Sequence, residues 1–265
     1  MAAGARGIPS AASTPIRLRP EPGALLRLLA VLAAGALLSA CATLTPVPRG
    51  PSGARPLVDH AAVVEVPAQT PGGDTFVVFY SGDGGWAKID RGTTAVLAKD
   101  GYPVVGVDSL HYFWSAKTPQ QASADLERII DTYAEAWKKP RVILVGFSFG
   151  AGTLPKTIEG LSERAASRIR AVVLMAPRRY VEFVLRPNSW LDIPGPTAFP
   201  FEPTLVATRR WPVLCVYGEN DHNAACPQLP PAEARAQSVP GGHRLNHDYA
   251  RIAALIEASP NRQSQ

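Results

Sequence analysis

A serine between two glycines follows an apolar run in the middle of the chain. Val142–Val145 is wholly apolar, and residues 146–150 read Gly-Phe-Ser-Phe-Gly. A turn sharp enough to hold a serine hydroxyl out at the end of a strand strains the serine backbone and leaves no room for neighbouring side chains, so glycines are needed there. The pattern predicts a nucleophile elbow with Ser148 as the nucleophile. The alternative is a strand-to-helix turn with an unreactive serine.

The carboxylate that such a serine needs is expected after a later strand. The apolar run Val213–Tyr217 leads into residues 218–221, which read Gly-Glu-Asn-Asp. An aspartate there would accept a hydrogen bond from histidine Nδ1, fix the tautomer and stabilise the imidazolium that forms during attack. We predict Asp221 in this role. Glu219 is one alternative, and a solvated turn aspartate without a role is the other.

The general base is expected in the loop after the last strand, which we predict at Arg235–Val239. Residues 240–243 read Pro-Gly-Gly-His, and an imidazole can abstract the serine proton and return it to the leaving group. The chain order serine, aspartate, histidine is the order used by the α/β-hydrolase fold. We therefore predict His243 as the base. The competing histidines are His111, His222 and His247.

Two backbone amides are needed to bind the negative oxygen that forms during such an attack. The amide after the nucleophile, that of Phe149, is the first candidate. The second is expected in a glycine-rich loop after an early strand, and residues 81–86 read Ser-Gly-Asp-Gly-Gly-Trp. We predict the amide of Asp83 in this role. Because no Gly-Lys-Ser/Thr follows, the loop does not resemble a phosphate cradle.

Short apolar runs alternate with amphipathic stretches over most of the chain. Residues 118–137 give the clearest helical pattern, with apolar residues three and four positions apart and Thr118-Pro119 as cap and first helical position. The apolar runs are rich in valine, as strands buried on both faces of a parallel sheet require. We predict an α/β-hydrolase fold, a mostly parallel, doubly wound sheet with helices on both faces. The remaining predicted strands are 61–66, 76–80, 104–107 and 171–175.

The segment 177–210 interrupts this alternation. It is rich in proline and in aromatic residues such as Tyr180, Trp190 and Phe201. Irregular backbone with exposed apolar side chains is typical of a lid over a site or of a long surface connection. We favour a lid or pocket wall.

The first forty residues do not share the strand and helix pattern. Arginines precede the short apolar run Leu28–Leu38 and small residues follow it, which is the layout of a secretory signal peptide too short to span a bilayer. Residues 38–41, Leu-Ser-Ala-Cys, resemble a lipobox. We predict a periplasmic, membrane-anchored lipoprotein lipidated at Cys41, with an ordinary signal peptide as the alternative. Residues 41–58 are predicted as a flexible tether and residues 59–260 as the hydrolase domain.

The charge and the cysteines agree with export. Residues 1–40 hold four arginines and one glutamate, which account for +3 of the net charge of +5. Since no basic stripe with interleaved aromatics is present, nucleic-acid binding is not expected. Cys215 and Cys226 lie close in sequence and are predicted to form a disulfide, with two buried thiols as the alternative. We expect no metal site and no cofactor.

Three motifs together resemble the VirJ/AcvB family of bacterial virulence proteins. They are residues 81–86, residues 106–114 (Gly-Val-Asp-Ser-Leu-His-Tyr-Phe-Trp) and residues 146–151 (Gly-Phe-Ser-Phe-Gly-Ala). The resemblance covers roughly residues 60–258. It implies a periplasmic α/β-hydrolase-type protein that uses a serine nucleophile to hydrolyse lysyl-phosphatidylglycerol, an aminoacylated membrane lipid. It also implies an association with type IV secretion.

A site for this lipid needs a nucleophile, an apolar approach and negative charge near the lysyl ammonium. We predict Asp83, Trp86, Asp108 and Trp190 as substrate-binding residues, with loop capping as the alternative for both aspartates. The competing functions are a generic periplasmic carboxylesterase or lipase, and a non-catalytic periplasmic adaptor for secretion-system proteins. The complete set of serine, aspartate and histidine favours an enzyme.

Overall fold

The described part of the chain, residues 62–186 and 193–261 of a computed structural model, contains strands in two sheets. The strands are β1 (Val63–Val66), β2 (Thr75–Tyr80), β3 (Val104–Val107), β4 (Arg141–Phe147), β5 (Ile169–Met175), β6 (Tyr180–Val181), β7 (Phe199–Pro200), β8 (Val213–Gly218) and β9 (Arg235–Val239). The central sheet has the order β1-β3-β2-β4-β5-β8-β9, and β6 pairs with β7. Strand β1 is antiparallel to β3, whereas the other neighbours in the central sheet are parallel.

Helices cover both faces of the central sheet. The α-helices are α1 (Lys88–Lys99), α2 (Ser109–Tyr112), α3 (Pro119–Ala136), α4 (Phe149–Glu159), α5 (Glu163–Ala166) and α6 (Tyr249–Ala258), and short 3-10 helices span Glu202–Thr208, Cys226–Gln228 and Leu245–His247. Apolar residues of α3 and α4 pack on one face, and those of α1 and α6 pack on the other. The predicted doubly wound α/β fold is confirmed.

Strand β4 shows why the apolar runs form this sheet. Successive side chains of a strand point to opposite faces. Val142 and Leu144 accordingly belong to the core cluster under α3 and α4, while Ile143 and Val145 belong to the cluster under α1 and α6. All four are buried. The buried residues of a strand in this position must be apolar, which explains the continuous runs in the sequence.

Helix α3 follows its predicted pattern closely. Thr118 accepts a hydrogen bond at Oγ1 from the amide of Gln121, and the Gln121 side chain accepts one in return from the Thr118 amide. This reciprocal capping begins the helix at Pro119. Leu126, with its neighbours one and two turns along, is buried against the sheet.

The segment 177–210 is more regular and more buried than the sequence predicts. Strands β6 and β7 pair at Tyr180–Pro200 and Val181–Phe199, and a 3-10 helix follows. Phe183 and Phe201 are buried in the core, so the expectation that the aromatic residues of this segment are exposed is wrong for these two. These two side chains anchor the segment to the hydrophobic core. Trp190 lies outside the described residues.

The N-terminal predictions fall outside the described residues. They concern the signal peptide at 1–40, the tether at 41–58 and lipidation at Cys41. Within the ranges that the structure describes, no helix combines the length and the apolar character needed to cross a membrane.

A disulfide joins strand β8 to the loop that follows it. Cys215 in β8 and Cys226 are bonded, with their Cα atoms 5.5 Å apart, as predicted from the sequence. Both residues are fully buried. The bridge closes the loop that carries Asp221, and it therefore restricts the position of that carboxylate.

Replacing both Cys215 and Cys226 with alanine is expected to lower the free energy of unfolding by about 3 kcal/mol, because the open loop gains chain entropy in the unfolded state. Denaturant unfolding of the variant and of wild type, each with and without reductant, measures this. Reductant should destabilise wild type and leave the variant unaffected. Two cysteines that alkylate freely in protein purified without reductant would rule out the bridge.

Candidate active site

Ser148 lies in a strained turn between β4 and α4. Its backbone has φ 52° and ψ −111°, which residues other than glycine rarely adopt. A Cβ atom at Gly150 would come within 2.5 Å of the Tyr80 carbonyl oxygen, and one at Gly146 within 2.6 Å of the Ala151 amide nitrogen. Both flanking glycines are therefore required by contact with fixed backbone. The structure has the geometry that the sequence motif predicts.

Three side chains form a continuous chain of hydrogen bonds at this turn. His243 Nε2 lies 2.8 Å from Ser148 Oγ, and His243 Nδ1 lies 2.7 Å from Asp221 Oδ2. Because an ionised carboxylate can only accept, Nδ1 carries the proton and donates to Asp221. In the neutral imidazole Nε2 then has a free lone pair, and the Ser148 hydroxyl donates to it.

The loops after β8 and β9 bring Asp221 and His243 together. The Asn220 amide donates to the Gly241 carbonyl, and a Cβ atom at Gly218 would lie only 2.2 Å from the Gly242 carbonyl oxygen. This close packing of backbone places Asp221 against His243. Glu219, the alternative acid, instead donates its amide to Val239 and is exposed.

Asp221 is held in its ionised form by its surroundings. Burial by itself would raise the pKa of this carboxyl, but the hydrogen bond from His243, the charges of His243 and Arg178, and the Asn223 amide lower it below its ordinary value. Arg178 Nη1 donates to Oδ1 at 3.1 Å. Since the pKa is lower in the folded chain than in the unfolded chain, Asp221 stabilises the fold above the ordinary aspartate pKa. That contribution is lost as the pH falls through the lowered pKa.

The other candidate histidines have different contacts. His111 Nδ1 lies 2.8 Å from Asp108 Oδ2, and the His247 ring packs against Tyr249. The His222 carbonyl accepts a hydrogen bond from Arg179. Among the predicted histidines, His243 is the one that the structure places against Ser148.

The glycine-rich loop after β2 lies beside the start of α4. The Gly85 amide donates to the Gly82 carbonyl at 3.1 Å and closes a turn around Asp83. The Gly150 amide donates to the Ser81 carbonyl. Asp90 Oδ2 accepts from the Ala87 amide at 2.7 Å and fixes the far end of the loop. Burial raises the pKa of Asp90 to about 7, although this amide lowers it.

The two residues predicted to supply the oxyanion amides line the same cavity. Phe149 is the first residue of α4, so its amide has no acceptor within the helix. Phe149 and Asp83 both line a cavity of about 570 Å³ that opens over Ser148 and His243. Burial raises the pKa of Asp83, while the charges of His243 and Arg178 lower it to a smaller extent.

The segment 177–210 supplies one wall of this cavity. The residues of this segment that line the cavity include Arg178, Glu182, Ile193 and Ala198. Tyr180 and Ile193 are 54% exposed, which makes them the apolar part of the rim. Part of the described segment thus lines the cavity, and its role as a lid or pocket wall stays a prediction.

Two predicted substrate residues lie elsewhere. Trp86 packs against Phe79 with ring centroids 5.9 Å apart and covers Gly106, so its ring belongs to the core under α1 and α6. Asp108 caps α2, since its Oδ1 accepts from the amides of Leu110 and His111. Asp108 therefore makes the capping contacts of the alternative. Neither residue is among the described residues that line the cavity.

The sequence did not identify the arginines of the cavity. Arg178 and Arg179 follow the carboxyl end of β5, and Arg244 follows His243. Their positions after strand ends could have indicated them, because the carboxyl ends of parallel strands meet at one edge of the sheet, where ligands bind. In the described part of the chain, no group of three or more His, Cys, Asp or Glu residues has the arrangement to hold a metal ion.

The sheet order, the strained serine and the hydrogen-bonded histidine and aspartate define an α/β-hydrolase-type protein. Residues 74–263 match the sequence model of a bacterial virulence protein family, VirJ. The chain belongs to the VirJ family, as its three motifs predict.

Solved structures support the fold. Similar structures include MenH from S. aureus, with a TM-score of 0.54, 13% identity, and coverage of 76% of this chain and 99% of that chain. The thioesterase domain from the curacin biosynthetic pathway has a TM-score of 0.50 and 16% identity over 74% of this chain and 94% of that one. Proline iminopeptidase from Mycobacterium smegmatis has a TM-score of 0.50 and 14% identity over 75% and 94%. A comparison with curated protein sequences found no match.

Proposed function

We propose that this chain is a serine esterase in which Ser148 is the nucleophile, His243 the general base and Asp221 the carboxylate that orients it. The observation that carries the proposal is the chain of hydrogen bonds from Ser148 through His243 to Asp221, at 2.8 and 2.7 Å. It lies at a strained turn and opens onto a cavity. Strain of this kind is retained where the surrounding structure and the function require it.

The mechanism follows from the positions of these atoms. Ser148 Oγ attacks the ester carbonyl carbon while His243 Nε2 takes its proton, and Asp221 stabilises the resulting imidazolium. The amides of Phe149 and Asp83 donate to the negative carbonyl oxygen. His243 then protonates the leaving alcohol, and a water molecule attacks the acyl-enzyme by the same route in reverse.

Asp221→Asn is expected to lower kcat by about a hundred- to ten-thousandfold, less than loss of Ser148, because an amide can donate to His243 and favour the wrong tautomer. The matched control is Glu219→Gln, which removes the other acidic side chain of the same loop. Steady-state ester hydrolysis measures both. If Glu219→Gln were the more damaging change, Asp221 would not be the acid.

The substrate that we propose is lysyl-phosphatidylglycerol, cleaved at its aminoacyl ester. Membership of the VirJ family supports this substrate. Asp83 supports it further, since a partly buried carboxylate in the cavity gains from a nearby ammonium group. Tyr180 and Ile193 on the rim offer an apolar approach for a lipid.

The proposed location is the periplasm, with a lipid on Cys41 holding the enzyme at the membrane. The signal-like sequence of residues 1–40 supports export. The Cys215–Cys226 disulfide agrees with an oxidising compartment. Secretion-system proteins remain proposed partners only for the adaptor alternative.

The deciding experiment compares hydrolysis of lysyl-phosphatidylglycerol, phosphatidylglycerol and a short-chain nitrophenyl ester. Wild type should release lysine from the first, and Ser148→Ala should not. Asp83→Asn removes the negative charge and should therefore raise KM for the lysyl lipid by about tenfold. Because it keeps the backbone amide, it should affect the nitrophenyl ester less. Cleavage of the nitrophenyl ester alone would indicate a generic esterase, and cleavage of none would favour the adaptor.

A further inference from the structure

Two arginines at the mouth of the cavity have no carboxylate partner among the described residues. Arg179 and Arg244 both line the cavity and are exposed. The third arginine there, Arg178, donates to Asp221. We propose that Arg179 and Arg244 form a subsite for a phosphodiester group in the headgroup of the substrate. This inference rests on the proposed ester hydrolysis and specifies which part of the substrate is bound beside the reacting ester.

The structure fixes the position of Arg179. Its Nη2 donates to the His222 carbonyl at 3.0 Å, and its own carbonyl accepts from the Phe201 amide at 2.9 Å. Phe201 is fully buried, and His222 lies in the loop closed by the disulfide. The guanidinium therefore stands at a defined place on the rim, although it is exposed to solvent.

Arg244 is positioned by a strained turn. The three residues after it, Leu245, Asn246 and His247, have φ values of 51°, 52° and 54°, in the left-handed region that disfavours such residues. Leu245 is fully buried and anchors the turn. Arg244 follows His243 directly in the chain, and both residues line the cavity.

The carboxylates of the cavity are engaged with other groups. Glu182 Oε1 accepts from Thr197 Oγ1 at 2.6 Å and faces Arg186 Nε at 3.4 Å. Asp83 is the carboxylate proposed for the substrate ammonium, and the charges of His243 and Arg178 lower its pKa. The part of the rim formed by Arg179 and Arg244 thus keeps its positive charge and favours an anion.

A phosphodiester is the anion that suits this position. Guanidinium groups bind phosphate oxygens through pairs of charge-assisted hydrogen bonds. In a phosphoglycerol headgroup esterified on its terminal hydroxyl, the phosphodiester lies a few bonds from the ester carbonyl. Ser148 and the arginines line the same cavity, so one molecule can place its ester at the serine and its phosphodiester on the rim.

The test compares the lysyl esters of glycerophosphoglycerol and of glycerol, of which only the first carries a phosphodiester. Wild type should have at least tenfold higher kcat/KM for the first, chiefly through KM, since the group is remote from the reacting atoms. Arg179→Gln and Arg244→Gln should each reduce this ratio by about tenfold. The control is Arg251→Gln, an exposed arginine of α6 that does not line the cavity. Raising salt from about 0.05 to 0.5 M should also reduce the ratio, because the rim is exposed.

Calorimetry with Ser148→Ala protein tests binding without turnover. Glycerophosphoglycerol should bind, and adding Arg244→Gln should weaken it by about tenfold. The subsite is refuted if the ratio is near one, if Arg251→Gln lowers it equally, or if inorganic phosphate binds as tightly as glycerophosphoglycerol. If neither ester is hydrolysed, the proposed function fails, while calorimetry still decides the subsite.

Discussion

Ser148→Ala is expected to lower kcat for ester hydrolysis by about a factor of 10⁴ to 10⁶. The hydroxyl proposed as the nucleophile is lost, and His243 Nε2, 2.8 Å away in the native chain, has no proton to take. The fold should be unaffected, because the turn at residue 148 is held by its backbone and by the flanking glycines. Initial rates on a nitrophenyl ester, together with thermal unfolding, measure both effects.

His243→Ala is the matched comparison for Ser148→Ala. Because the two groups act as one unit, His243→Ala should cost a similar factor and the double variant should lose almost nothing further. Ser167→Ala, at an exposed serine that does not line the cavity, controls for loss of a hydroxyl. More than about a tenth of wild-type activity in either single variant would contradict the assignment, since such losses ordinarily cost several orders of magnitude.

Gly150→Ala is expected to lower the free energy of unfolding by about 3 kcal/mol and kcat by more than about a hundredfold. The added Cβ atom would lie 2.5 Å from the Tyr80 carbonyl and 2.6 Å from that of Ser81, both parts of the backbone. Neither oxygen can move without displacing β2 and the glycine-rich loop. That displacement would move Ser148 and the proposed oxyanion amides away from the positions that catalysis requires.

Gly73→Ala is the control for this substitution, because a Cβ atom there has no neighbour within 4 Å. Its unfolding free energy should stay within about 0.5 kcal/mol of wild type. Denaturant unfolding measures both variants. A Gly150→Ala protein with wild-type stability and activity would show that the turn tolerates a side chain, contrary to its described geometry.

The sheet and the turn at Ser148 were predictable because local physics determines them. The buried residues of a strand covered on both faces are apolar, so Val142–Val145 of β4 and Ala171–Met175 of β5 are visible as continuous runs. The cap at Thr118 and the spacing of apolar residues give α3 within one residue at each end. The glycines beside Ser148 are required by close contacts within the turn and with the end of β2.

Residues whose roles depend on distant contacts were not predictable in the same way. Asp108 is an exception, because its capping contacts with the amides of Leu110 and His111 are local. Trp86 follows a loop of the site, yet its ring fills the space over Gly106. Arg178 reaches Asp221 across 43 positions of sequence. No local pattern encodes such partners, because the loops that join them meet only in the folded chain.

The most direct test of the proposed activity is labelling with a fluorophosphonate followed by mass spectrometry of the peptides. Only a serine activated by a neighbouring base reacts readily with this reagent. Wild-type protein should carry one adduct, on the peptide that contains Ser148, and Ser148→Ala and His243→Ala proteins should carry none. An unlabelled wild-type protein, or an adduct that persists in Ser148→Ala, would contradict the assignment of Ser148 as the nucleophile.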